Sequence, residues 1–291
     1  MKQMILKTVA LLLFLASITV QGQSGNTNGI PYGNNPKAGK YVDAGDAKMY
    51  YEVYGKGEPI ILLHGGIMGS IGEMSGFIEK LQIDHMVIAM ATRGHGRSEI
   101  GTEKITYELK ANDVLAVIDA VTKDSITILG FSDGAYTAYK VASMYPDRVK
   151  KLVAIGAGEQ IPGLREVPAF TAQGFDLNSD FWEARLALMP EPEKLEEFWR
   201  QMTHFYNTMV ASKELFNSIQ CPVLVLAGEL DRNAPLATVI AAYQMIPDSQ
   251  LGIVPNTGHV VFMENDNYET IFAHIAVPRW HAGHIGTIQG I

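Results

Sequence analysis

The chain carries 291 residues, 47% of them hydrophobic and 19% charged, a globular composition with enough apolar material for one sizeable core. Its formal net charge of −8 comes without any Lys/Arg cluster, which argues against nucleic acid as a partner. The single cysteine, Cys221, excludes an intramolecular disulfide.

In chain order, residues 1–22 have the form of a signal peptide: Lys2 and Lys7 make a basic start, Thr8 to Val20 an apolar stretch, and Val20, Gln21 and Gly22 a small-residue exit. A bilayer span needs about 20 apolar residues, and this run is shorter with no basic flank after it. Cleavage and export, to the periplasm or the medium, are therefore expected over a stable membrane anchor. Loss of the two lysines takes the net charge from −8 to −10. Residues 23–40 are rich in Gly, Asn and Pro with almost nothing apolar in register, and read as a flexible lead-in.

From about Tyr41 onward, short β-branched runs alternate with helical stretches, the pattern of an α/β chain with a mostly parallel sheet covered on both faces. The runs are 49–54, 59–64, 86–90, 125–131, 151–157, 222–228 and 250–254, and the middle ones are continuously apolar, as doubly covered strands should be. Apolar residues at three- and four-residue spacing predict crossover helices over 70–82, 107–121, 133–145 and 236–245. About sixty residues separate Ala157 from Pro222, too many for a simple crossover. They carry Phe170, Phe175, Phe181, Trp182, Phe198, Trp199, Phe205 and Tyr206, which predicts a helical cap at about 158–217. Most of those aromatics should be the cap's own core, with a few left to line a pocket. One domain over 41–276 is expected, followed by an irregular tail at 277–291.

Gly130-Phe131-Ser132-Asp133-Gly134 ends an apolar strand and opens a helix, the context in which G-x-S-x-G becomes a nucleophile elbow. A serine hydroxyl needs a base, and the base an orienting carboxylate; in an elbow of this type both follow later strands, acid first. Glu229 and Asp231 are both acids just past the run 222–228, and His259 follows the run 250–254 in a Gly-flanked turn. Chemistry alone leaves the choice of acid open. The oxyanion would be met by two backbone N–H groups, from Asp133 after the nucleophile and from Gly66 in His64-Gly65-Gly66, with His64 shaping the loop. His281 and His284 form an H-x-x-H with no third ligand, so no metal is expected there.

With Leu63-His64-Gly65-Gly66, Arg93-Gly94-His95-Gly96-Arg97-Ser98, the serine pentapeptide, Asp231 and Gly258-His259 in that order, the chain resembles the capped α/β-hydrolase superfamily over roughly residues 41–264. In particular it is similar to the esterases, lactonases, C–C bond hydrolases and cofactor-free haloperoxidase-like enzymes. The resemblance implies an eight-stranded sheet, a cap after strand six, Asp231 as the acid, and no metal or organic cofactor. Ser132 separates it from the relatives that attack with aspartate, and Ile67 from the proline iminopeptidases, which have proline there. Three positions depart from the pattern. Ala91 stands where an aspartate is usual, implying a less rigid loop; Glu264-Asn265-Asp266 lacks the usual proline; and 277–291 does not resemble the last helix.

The expected activity is serine-dependent cleavage of a small-molecule carboxylic ester or lactone, macrolide-type cyclic esters included. C–C cleavage of a diketone uses the same side chains, and a noncatalytic small-ligand receptor can be built on the same fold.

Overall fold

The computed structural model describes residues 29–263. Outside that range fall the leader at 1–22, residues 264–276, and the tail at 277–291 with His281 and His284. Eight strands form one sheet: β1 (Gly39–Asp43), β2 (Lys48–Gly55), β3 (Glu58–Leu63), β4 (His85–Met90), β5 (Ile126–Phe131), β6 (Val149–Ile155), β7 (Val223–Gly228) and β8 (Ser249–Val254). Their order is β1-β2-β4-β3-β5-β6-β7-β8, antiparallel at β1/β2 and β2/β4 and parallel elsewhere. Every residue of β5 and β7 is buried, because helices cover both faces and leave no side for a polar residue.

The helices are α1 (Ser75–Leu81), α2 (Tyr107–Val121), α3 (Asp133–Met144), α4 (Asp180–Leu186), α5 (Leu195–Thr208), α6 (Lys213–Asn217) and α7 (Leu236–Met245). Apolar spacing located α2 and α7 to the residue; the stretch 70–82 divides into a 3-10 turn, Ile71–Met74, and α1. Thr106 starts α2 by accepting the Leu109 N–H, satisfying one of the donors a helix N-terminus leaves open. None of the described helices is long and apolar enough to cross a membrane.

The strand the apolar runs omit is β1, an edge strand whose residues are half-buried or exposed and which pairs only with β2. Residues 29–40 are accordingly not a loose lead-in. Glu52, fully buried on β2, accepts N–H groups from Gly33 (2.9 Å) and Asn35 (2.8 Å) and hydroxyls from Tyr50 (2.7 Å) and Tyr54 (2.8 Å). A carboxylate in that position has to be surrounded by donors, and the lead-in supplies half of them. Burial and the bonds to Glu52 push both phenols well up, which keeps their protons available for donation.

The loop after β4 is firmly held without an aspartate at position 91. Arg93 forks onto Asp113 (2.8 and 2.7 Å) and reaches Asp46 (2.8 Å), while the Ser98 hydroxyl donates to the Ala91 carbonyl (2.6 Å). The loop is therefore anchored through its arginine and Ser98.

Between β6 and β7 stands the cap, built on α4 and α5. Its neck is closed by a reciprocal backbone bridge between Gln160 and Ala211 (2.9 and 2.7 Å). Inside, Phe175, Trp182 and Trp199 meet at centroid distances of 5.0–5.2 Å, so the aromatic run is chiefly the cap's own core. Phe198 and Phe205 turn downward, packing on His95 (5.5 Å) and Tyr107 (5.0 Å) and seating the cap on the sheet's C-terminal edge.

Replacing Glu52 with Leu removes the shared acceptor of two phenol hydroxyls and two backbone N–H groups. We expect it to cost about 3–5 kcal/mol in urea unfolding and to expose residues 29–38 to protease; wild-type values for both would remove this role from Glu52.

Candidate active site

Ser132 sits between β5 and α3 with φ 51° and ψ −115°, a strained conformation for a residue with a Cβ. The turn is tight enough that a Cβ on Gly130 would fall 2.5 Å from the Gly134 carbonyl, and one on Gly134 2.3 Å from the Leu63 carbonyl. The Ser132 N–H is tied to the Ile155 carbonyl at the end of β6 (2.7 Å). The side chain is thereby lifted off the sheet edge at the point where strand order reverses around β3, the usual ligand crevice of such sheets.

His259 Nε2 lies 3.0 Å from Ser132 Oγ, and its Nδ1 lies 2.7 Å from Asp231 Oδ2. A carboxylate accepts only, so Nδ1 carries the proton and Nε2 is left as the acceptor facing the serine. Asp231 Oδ1 is occupied by the N–H groups of Asn233 (2.7 Å) and Ala234 (2.8 Å), which orient the other oxygen on the imidazole. Glu229 goes elsewhere: it is exposed and accepts the Asn256 N–H (3.0 Å). Of the two acids, the structure brings Asp231 to the histidine.

Gly66 and Asp133 also converge here. A Cβ on Gly66 would stand 3.0 Å from the Asp133 Cβ and 2.0 Å from the Tyr206 hydroxyl, so the loop after β3 passes directly over the first residue of α3. Neither N–H group bonds to another described residue, and that of Asp133 lies at a helix N-terminus, where the backbone field favours an anion.

His64, fully buried, accepts the Thr92 N–H on Nε2 (3.1 Å), so its proton is on Nδ1 and donates to the Gly65 carbonyl (2.6 Å). Burial pulls its pKa down to about 3 and that of the neighbouring His95 to about 4, with His95 adding to the effect on His64. Both rings are neutral spacers between the loops after β3 and β4.

Two features were missed by pattern. Gly156, directly after β6 with φ 66°, leaves room for the imidazole: a Cβ there would lie 2.9 Å from His259 Cε1. Its signal is a glycine ending the strand beside the elbow strand. Lys110 forms a buried ion pair with the Asp133 carboxylate, beside the Tyr206 hydroxyl. A lysine within the apolar stripe of α2 is the corresponding signal, since a buried ammonium needs a partner.

The family model described as alpha/beta hydrolase fold matches residues 58–186, from β3 to the end of α4. The chain has the α/β-hydrolase fold. It is similar to a 2-hydroxy-6-oxo-6-(2'-aminophenyl)hexa-2,4-dienoic acid hydrolase of Metapseudomonas resinovorans, 25% identical over 78% of this chain and 86% of that one. It is similar also to the serine hydrolase BPHL of Homo sapiens, 26% identical over 75% of this chain and 79% of that one. Among solved structures, the enol-lactonase from Burkholderia xenovorans matches with a TM-score of 0.66 at 20% identity, over 81% of this chain and 98% of that one, a likeness of fold.

Two outcomes follow from this site. His64 and His95 are neutral when folded and bind protons more readily when unfolded, so their contribution to stability is complete above the unfolded value near 6.5 and is lost as pH falls toward 4. The unfolding free energy from urea titration should drop across that window by up to about 1.4 kcal/mol per pH unit for each histidine, and His64→Gln should flatten the slope; a profile level from pH 7 to 4 would contradict this. Gly156→Ala should displace the His259 ring and slow phosphonylation of Ser132 by a fluorophosphonate about 100-fold, with the fold retained by circular dichroism; wild-type labelling would mean the ring has space to spare.

Proposed function

We propose that this α/β hydrolase is a serine hydrolase that cleaves a carboxylic ester or lactone through an acyl-enzyme. The observation carrying the proposal is the 3.0 Å approach of His259 Nε2 to Ser132 Oγ on a strained, half-buried turn, with the other ring nitrogen held by Asp231. In the forward step His259 takes the Ser132 proton as Oγ attacks the carbonyl carbon, and Asp231 stabilises the imidazolium. The oxyanion is met by the N–H groups of Gly66 and Asp133, which do not have to reorient during the reaction. His259 then returns its proton to the leaving alkoxide, and water, activated by the same ring, releases the acid. No step needs a metal or organic cofactor.

A second reading is supported by the relative from Metapseudomonas resinovorans, whose name specifies a hydroxy-oxo-dienoic acid: C–C cleavage beside a ketone, with the same three side chains. The two readings differ in the leaving group, carbon in one and oxygen in the other. A small-ligand receptor on the same scaffold would keep the geometry and lack steady turnover.

The test is steady-state hydrolysis of p-nitrophenyl acyl esters, a lactone panel and a 2-hydroxy-6-oxo-dienoate, by wild type and Ser132→Ala. We expect ester or lactone turnover that falls at least about 10³-fold in the variant, with an unchanged melting temperature. Turnover confined to the dienoate would establish the C–C reading, and a variant as active as wild type would remove Ser132 from the chemistry.

A further inference from the structure

The loop that presents Gly66 is held from three directions. Glu73, on the 3-10 turn that follows, accepts the Gly65 N–H at 2.8 Å. Within the loop, the Met68 N–H returns to the Gly66 carbonyl at 2.7 Å, closing a three-residue turn about Ile67 at φ 59°. A β-branched residue at positive φ is an outlier that persists only where its surroundings over-determine it. The third hold comes from the cap: Arg185, on α4, donates its Nε–H to the Met68 carbonyl at 3.0 Å.

The direction of that guanidinium is set inside the cap. It lies 3.7 Å from the ring centroid of Phe181, one turn earlier on α4. The helix is pinned through Trp182 against Phe175 and Trp199. A continuous packed path therefore runs from the cap's aromatic core to the carbonyl two residues beyond Gly66. Burial draws the Arg185 guanidinium down to about 10, so it stays charged at neutral pH, with Glu73 facing it as counter-charge.

We infer that Arg185 is a positioning residue: held by the cap, it fixes the strained turn about Ile67 so that the Gly66 N–H is aimed at the oxyanion. Hydrolytic competence is thus conditional on a seated cap. The inference rests on the serine-hydrolase reading, because it needs Gly66 as an oxyanion donor.

The full chain is compared with Arg185→Met, which keeps the stem and loses the donor, and with Phe181→Leu, which keeps the donor and loosens its direction. The probes are p-nitrophenyl acetate, its carboxylate-bearing hemisuccinate counterpart, and the rate of Ser132 phosphonylation by a fluorophosphonate. Arg185→Met should lower kcat on both esters about 10- to 100-fold and slow phosphonylation by a similar factor, with KM within about twofold. Phe181→Leu should move kcat the same way by a smaller factor. A merely structural arginine would change the melting temperature and leave kcat and labelling alone, which overturns the inference. A loss confined to KM for the hemisuccinate would make Arg185 a ligand for substrate carboxylate and overturn it as well. If wild type neither turns over nor labels at Ser132, the serine reading itself fails; if wild type labels and Arg185→Met labels equally fast, only the role of Arg185 fails.

Discussion

Holding Ser132 at φ 51° requires the backbone on every side of it to be immobile, and much of the sheet's organisation supplies that immobility. The N–H is fixed to Ile155 on β6, and the elbow glycines press against the carbonyls of β3 and α3, so three elements constrain one residue. Those contacts depend on β3, β5 and β6 being parallel and in register, because only then do their C-terminal ends reach the same edge. The strain, of order 1–3 kcal/mol for such a residue, is offset by the apolar burial of the strands that impose it. A hydroxyl presented in this way, with an imidazole nitrogen already facing it, needs little reorganisation before it can react.

Buried charges repeat around this frame, each resolved by the donors or partners that burial demands. Glu52 gathers four donors, Arg93 forks onto Asp113, and Lys110 neutralises Asp133. Such pairs contribute little net stability, because desolvation consumes most of the attraction. What they confer here is placement. Glu52 gathers residues 33–35 onto β2, Arg93 sets the loop after β4, and the Lys110–Asp133 pair fixes the side chain of the residue whose N–H opens α3. Removing one partner from any of these would strand the other in low dielectric, so each pair enforces its arrangement more strongly than it stabilises the chain.

Legibility in the sequence followed burial and periodicity. Strands covered on both faces, such as β5 and β7, stood out as unbroken apolar runs, and α2 and α7 as apolar residues at helical spacing. β1 did not, because an edge strand with exposed faces carries no apolar alternation, and its anchor, Glu52, is a polar residue whose partners are remote in sequence. Ser132 and His259 were readable from strand-and-glycine context, whereas Glu229 and Asp231 differ only in which one the turn after β7 directs at the imidazole. Gly156, Lys110 and Arg185 act through tertiary neighbours that no local pattern reports.

The site divides between scaffold and cap in a way that bears on what the cap does. Ser132, His259 and Asp231 all descend from the sheet's edge, and no cap residue bonds to any of them among the described residues. The Gly66 side differs: the Tyr206 hydroxyl rests against Gly66 beside Asp133, and Arg185 holds the Met68 carbonyl. On the proposed serine-hydrolase reading, nucleophile and base come preformed from the sheet, while the oxyanion donors are finished by the cap. On that reading the cap contacts would keep the donors oriented beneath a covering layer, where a low local dielectric makes them most effective.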